Sequence, residues 1–194
     1  RMCYTDVKNI LEDTDEEAKK RYDALIPMFF MMKELSGILR NSRHHRGSID
    51  FDFPESKIIL NAAGKAIDVK PYEANVATKI IEDFMLMANE TVAQEYCTEE
   101  IPFVYRTHDN PDPDRMRKLA TFINNFGYSI RLKDDEVHPK ELQKLLAKLD
   151  GTPEEDLISR LTLRSMKRAR YTTDCTGHFG LAAKYYCHFT SPIR

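Results

Sequence analysis

The densest chemistry in this 194-residue chain lies at its end, in Gly177-His178-Phe179-Gly180-Leu181-Ala182-Ala183-Lys184-Tyr185-Tyr186-Cys187-His188-Phe189-Thr190-Ser191-Pro192-Ile193-Arg194. The guanidinium of Arg194 is permanently charged and presents a planar fork of donors that matches a phosphate. Gly177 and Gly180 let backbone approach a ligand or a neighbouring segment closely. The Ser191-Pro192 step forces an extended or turning path. Glycines and aromatics at this density also fit a buried strand followed by a turn. Residue types alone leave both readings open.

Five other groups could do chemistry. His108 beside Asp109, in the loop Arg106-Thr107-His108-Asp109-Asn110-Pro111, has the form of an oriented general base; the plainer reading is a loop histidine with surface hydrogen bonds. Asp50 and Asp52 alternate with apolar residues over Ser48-Ile49-Asp50-Phe51-Asp52-Phe53-Pro54, which puts both carboxylates on one strand face. Two carboxylates so placed suit magnesium, but with no third ligand nearby in sequence a solvated strand face is the better reading. Asn75, Lys79, Glu82 and Asn89 share one flank of a helix, where they are solvated unless that flank lines a cleft. Two basic clusters complete the set, Arg40, Arg43, His44, His45 and Arg46, then Arg160, Arg164, Lys167, Arg168 and Arg170. The first closes a helix, whose dipole accounts for one or two of its cations. Either cluster is a solvated face or a row of phosphate contacts.

The elements that must position these groups follow from apolar spacing and caps. Met2 to Tyr4 could finish a strand, and Val7, Ile10 and Leu11 mark a short helix. Thr14 with Glu17 reads as a capping box opening a helix to about Ser42. That helix buries Leu25, Met28 or Phe29, Met32, Leu35 and Leu39, and Pro27 could kink it. Its methionines are core rather than a ligand box, and Gly47 is a left-handed stop. Lys57–Leu60 and Lys65–Val69 predict a hairpin around Asn61–Gly64. A helix from about Tyr72 to Tyr96 presents Ile81, Phe84, Met85, Ala88 and Val92. A strand at Ile101–Tyr105 precedes a helix from Pro113 to Phe126, ended by Gly127. After a polar loop over Arg131–Pro139 comes a helix carrying Leu142, Leu145, Leu146 and Leu149. Thr152, Pro153 and Glu155 then open a last helix to about Ala169.

Composition narrows the class. With 42% hydrophobic and 31% charged residues the chain is globular, and no apolar run approaches the roughly 20 residues of a membrane helix. Cys3, Cys97, Cys175 and Cys187 lack C-x-x-C spacing, so neither a zinc ribbon nor a redox pair is indicated, and a reducing, cytoplasmic compartment is the simplest reading. A net charge of −2 excludes a uniformly basic nucleic-acid coat while leaving room for local clusters. The start at Arg1 has no secretion signal, and the abrupt ends suggest part of a larger domain.

Arg46 to Glu55, Ile81 to Asn89, Arg106 to Pro111, Leu163-Arg164-Ser165-Met166-Lys167, Gly177 to Ala182 and His188 to Arg194, in that order, resemble the RNB catalytic domain of the RNase II and RNase R family of exoribonucleases, its bacterial ribonuclease R branch most of all. The resemblance implies an α+β fold: the helix-rich C-terminal part of an RNB-type catalytic domain, with short antiparallel strands and one incomplete domain over 1–194. It implies processive 3′-to-5′ hydrolysis of single-stranded RNA to nucleoside 5′-monophosphates by a monomeric parent enzyme. Magnesium would be held there by aspartates N-terminal to this segment, so this piece alone is expected to be inactive and no metal ligand is assigned in it. By position, Arg194 matches the arginine that stabilises charge on the cleaved phosphate, Glu82 an acid on the terminal sugars, and Phe51 an aromatic that clamps the outermost stacked bases. Arg46, Arg164, His108, His178 and Ser191 match motif positions and are expected on the RNA-binding side. The rival reading is a non-catalytic RNA-binding or scaffold module.

Overall fold

The computed structural model describes residues 2–49, 55–72 and 74–190. The described residues form a mixed, helix-rich fold with short antiparallel strands, divided into two compact units, 1–38 with 51–84 and 39–50 with 85–194.

The first unit begins with α1 (Tyr4–Leu11) and α2 (Glu16–Tyr22), followed by a 3-10 turn at Asp23–Leu25 and the start of α3 (Ile26–Arg46). The expected strand at Met2–Tyr4 is instead the cap of α1, where the Cys3 thiol accepts from Asp6 N. The capping residue of α2 is Asp15 rather than Thr14. Its Oδ1 accepts from Glu17 N and Ala18 N, each at 3.0 Å, and the two donated bonds hold its carboxyl below the usual range. The continuous helix expected to Ser42 is broken by the 3-10 turn. Pro27 therefore falls in the first turn of α3, where its missing donor costs nothing and no kink is needed. Ile10, Leu11, Ala18, Phe29 and Ile80 are the buried core, with Met32 packed against them. Leu25 and Leu35, expected inside, are exposed, and of Met28 and Phe29 it is Phe29 that is buried.

β1 (Glu55–Leu60) and β2 (Ala66–Tyr72) pair antiparallel with a register shift at Ile59/Leu60. Asn61 Oδ1 accepts from Ala63 N and Lys65 N, which closes the expected turn. α4 (Val76–Thr98) is capped by Asn75, whose Oδ1 accepts from Ala77 N and Thr78 N. Its buried stripe is Ala77, Ile80, Asp83, Leu86, Asn89 and Ala93, one residue round the helix from the predicted face. Asp83 can sit there because it accepts a hydrogen bond from buried Ser36 of α3.

The second unit is built on α5 (Pro113–Asn124), α6 (Pro139–Leu149) and α7 (Glu155–Ser165). Met116, Leu119, Ile123, Leu142, Leu145, Leu149 and Ile158 are buried, as their spacing predicts. Two joints differ from expectation. Between α5 and α6 the polar loop contains a small hairpin, β4 (Leu132–Lys133) with β5 (Glu136–Val137), turned by Asp134 and Asp135 at φ 51° and 65°. At α7, Glu155 accepts from Gly151 N rather than forming a box with Thr152, and the helix stops at Ser165. Beyond it, residues 170–172 form β6 (Arg170–Thr172), antiparallel to β3 (Tyr105–Thr107), which starts four residues after the expected Ile101. Gly47, at φ 106°, ends α3 as expected.

The Ser36–Asp83 bond is the polar member of an otherwise apolar core. Ser36→Ala is expected to lower unfolding free energy by about 1–3 kcal/mol, measured by chemical denaturation, because it removes a donor from a buried carboxylate. A loss within error would mean that Asp83 does not depend on this hydroxyl.

Candidate functional site

The terminal segment folds on itself before it meets anything else. Gly177 has φ 83°, and a Cβ there would lie 2.8 Å from the Ala183 carbonyl oxygen and 3.1 Å from that of Lys184. His178 N donates to Ala183 O and Ala183 N to His178 O, around a 3-10 turn at Phe179–Leu181 that exits through Ala182 in the left-handed region. A Cβ at Gly180 would meet His108 Nδ1 at 3.2 Å. Both glycines thus serve close approach of the chain to itself.

His108 and His178 come together across a parallel bridge, with His108 N donating to Gly177 O and Phe179 N to His108 O. Their rings stand edge to face, 5.0 Å between centroids. Each Nδ1 accepts from backbone, His108 from Gly180 N and His178 from Leu181 N, both at 3.2 Å. That assigns the neutral tautomer with the proton on Nε2. Burial pushes the His178 pKa down to about 3, helped by the neighbouring His108 and the Arg106 charge. Burial also lowers His108, opposed by the backbone of Lys167 and by Asp109. His108 is 8% exposed, not the surface loop histidine the sequence suggested, and its Nε2 meets no hydrogen-bond partner. A ladder of rings continues from here, His178 to Tyr186 at 5.1 Å, Tyr186 to His188 at 5.7 Å and His188 to Tyr171 at 5.5 Å. Tyr171 Oη lies 2.7 Å from His188 Nδ1, and the Arg106 guanidinium sits 4.7 Å over the Tyr171 ring.

Asn89 ties this segment to α4. Its side chain is 0% exposed, its Oδ1 accepts from Thr190 N (2.8 Å) and Thr190 Oγ1 (3.0 Å), and its Nδ2 donates to Tyr186 Oη (3.4 Å). The Cys187 thiol donates to the Asn89 carbonyl. Asn89 is therefore neither solvated nor a cleft lining; it clamps the path that leads to residues 191–194.

The other expected site residues are dispersed. Arg46 makes a bidentate pair with Glu90, both bonds 2.8 Å. Glu82 is half-buried on the part of α4 in the first unit. Arg164 is exposed in the last turn of α7, and Arg160 pairs with Asp156. Phe51, Ser191 and Arg194, like Asp50 and Asp52, lie outside the described residues. Among the described residues no three carboxylate, imidazole or thiolate groups converge on a point. Arg106 and Tyr171 carried no role in the sequence reading. Their signal was the Arg and Tyr in two separated short strands, which only the β3–β6 register places opposite each other.

Two outcomes follow from these contacts. A histidine held neutral in the fold and free to protonate when unfolded contributes stability above its unfolded pKa near 6.5, and loses it as pH falls toward the folded value. Unfolding free energy should therefore decline below about pH 6.5, by at most ~1.4 kcal/mol per pH unit for each such histidine, and His178→Gln should flatten that decline. Denaturant titrations over a pH series measure it, and an unchanged slope in the variant would assign the acid sensitivity elsewhere. Asn89→Ala should cost about 2–4 kcal/mol and accelerate exchange of the Thr190 amide proton, since that donor loses its partner. Unaltered exchange there would remove the clamp.

The RNB domain family model matches residues 1–194. Ribonuclease R 1 of Lactococcus lactis is 42% identical over 194 residues, all of this chain and 24% of that protein. Ribonuclease R of Aquifex aeolicus is also 42% identical over 194 residues, covering all of this chain and 27% of its own length. The chain thus spans about a quarter of these curated relatives. A solved structure of Mycoplasma genitalium RNase R in complex with ribose-methylated single-stranded RNA superposes with a TM-score of 0.87 at 26% identity, covering 98% of this chain and 30% of that one. With a family model matched over its whole length and a ribonuclease R fold, this chain belongs to the RNB domain family.

Proposed function

We propose that this chain is part of a 3′-to-5′ exoribonuclease that hydrolyses single-stranded RNA processively to nucleoside 5′-monophosphates. The observation that carries the reading is the family match over 1–194. The Asn89 clamp supports it by fixing Thr190, the first residue of Thr190-Ser191-Pro192-Ile193-Arg194. Hydrolysis of a phosphodiester adds the oxygen of water to phosphorus and expels the 3′ oxygen of the preceding nucleotide. Negative charge accumulates on the phosphoryl oxygens, and a fixed cation there lowers the barrier. In this reading Arg194 supplies that cation. Glu82 accepts from sugar hydroxyls, and Phe51 stacks on bases, each stacked base contributing about 1–3 kcal/mol. Magnesium, in the intact enzyme, would supply further charge neutralisation and an activated water from ligands beyond this chain.

His108 and His178 take a positioning part in this reading. Both are neutral near pH 7 and both Nδ1 atoms are occupied by backbone donors, so they order the loop over 177–183 rather than shuttle protons. The parent is read as a monomeric cytoplasmic enzyme. No described helix is long and apolar enough to cross a membrane, and all four cysteines are free thiols, which suits a reducing compartment.

The test uses the full-length protein. Arg194→Ala should reduce turnover of a single-stranded RNA by about 10³-fold or more while RNA affinity stays within a few-fold, because the lost interaction acts on transition-state charge. Retained turnover would remove Arg194 from the chemistry. Salt-dependent RNA binding by the wild type with magnesium present, and no product, would favour the non-catalytic module.

A further inference from the structure

The cations that the sequence set along one helix face are arranged differently in space. α7 ends at Ser165, so Lys167 and Arg168 lie on the strand-bound segment that follows it, while Arg164 stays in its last turn. Together with Arg106 of β3 and Arg115 of α5 they line one cavity of about 960 Å³ within the second unit. Arg160, the fourth member of the expected stripe, is paired with Asp156.

Five cations and one carboxylate line the cavity, a net excess of positive charge. Among the described residues, none of these five cations has a carboxylate within ion-pair distance. The one acid in the wall, Asp112, uses its Oδ1 to accept from Arg115 N as the cap of α5. His108 closes the floor. Its Nδ1 accepts from Gly180 N, and its ring meets the Lys167 backbone. Guanidinium and ammonium groups gathered on one wall without carboxylate partners suit the phosphates of a polyanion.

The neighbourhood also selects the kind of anion. Arg106 belongs to the cavity wall and at the same time covers the ring of Tyr171, which is 55% exposed. Cations for the backbone next to an exposed aromatic and a stacked guanidinium plane for bases are the combination that binds single strands. A free phosphate needs no stacking surface, and a volume of about 960 Å³ exceeds what one nucleotide fills.

We propose that this cleft binds the backbone of single-stranded RNA, with Arg164, Lys167 and Arg168 on phosphates and Arg106 with Tyr171 forming a base platform. The proposal rests on the reading of the chain as part of an RNA-degrading enzyme, and supplies a second substrate contact besides the segment leading to Arg194.

The test measures binding of a labelled single-stranded oligouridylate to the full-length protein in a chelator, so that affinity is read without hydrolysis. Arg164→Gln/Lys167→Gln/Arg168→Gln should weaken binding by about 10- to 100-fold and lower the slope of log K against log salt by about 2, given ~0.7 released counterions per phosphate on a single strand. Tyr171→Ala should weaken binding without changing that slope. Lys19→Gln/Lys20→Gln/Arg21→Gln in α2 removes equal charge elsewhere and should leave both quantities unchanged, and circular dichroism checks the fold of each variant. Equal losses in the two triple variants would reduce the effect to net charge and overturn the site. So would unaltered RNA affinity in the cleft variant, or loss there of uridine 5′-monophosphate binding alone, which would make the cleft a mononucleotide site. Wild-type protein that binds no RNA would overturn the exoribonuclease reading as well, whereas wild-type binding and turnover with an unaffected cleft variant would sink only this proposal.

Discussion

A carboxamide sealed from water has to find every hydrogen bond inside the protein, and Asn89 is such a group. Left without partners it would cost several kcal/mol. The chain meets that requirement from one place, the stretch 186–190, with the Tyr186 hydroxyl on the Nδ2 side and Thr190 on the Oδ1 side. Two anchors four residues apart leave one register for the intervening backbone. The Cys187 thiol fills the space between them against the Asn89 carbonyl and is fully buried. Much of the second unit inherits its position from this clamp. Tyr186 O accepts from Arg106 N, which sets β3, and β3 in turn sets β6 and Tyr171.

The same arrangement explains how cations can gather beside histidines without mutual repulsion. Burial depresses both His178 and His188, and the nearby Arg106 charge acts in the same direction. With their Nδ1 atoms committed to backbone donors or to Tyr171, the imidazoles add dipoles and ring surface but no charge near neutral pH. Arg106 finds its stabilisation on the face of Tyr171 instead of on a carboxylate. The chain as a whole is slightly acidic, yet its acids near this region are used as helix caps or paired elsewhere, Asp112 on α5 and Asp156 on Arg160. Net charge therefore says little about the local field.

Local signals made part of this legible in the sequence. α5 and α6 follow from strict apolar spacing between a proline start and a left-handed or abrupt stop, and their buried residues are the ones that spacing selects. α4 was legible as a helix but not in its facing, because polar residues were assigned to water while Asp83 and Asn89 carry the buried stripe on the strength of partners 47 and 101 residues away. The β4–β5 hairpin escaped notice because its turn places two aspartates at positive φ where glycine or asparagine would have announced it. β6 was hidden for a different reason. Residues 166–169 have helical composition, and only pairing with β3, more than sixty residues earlier, ends α7 at Ser165. Of the candidate site residues, His108 and His178 are the pair the fold joins, through a bridge no local pattern encodes.

The glycines of the terminal motif sharpen what that motif contributes. Had Gly177 and Gly180 been left open, their bare backbone would have been available to a ligand. The space beside them is filled by the carbonyls of Ala183 and Lys184 and by the His108 ring. Their work is internal, to let the loop turn tightly enough that His178 reaches His108 and Tyr186 reaches Asn89. Outside this tight loop, the cations of the cavity wall and the exposed ring of Tyr171 stand beside β3 and β6. A loop that consumes its own glycines in packing is a positioning device, held by bonds within the chain while burial disfavours charge on its imidazoles.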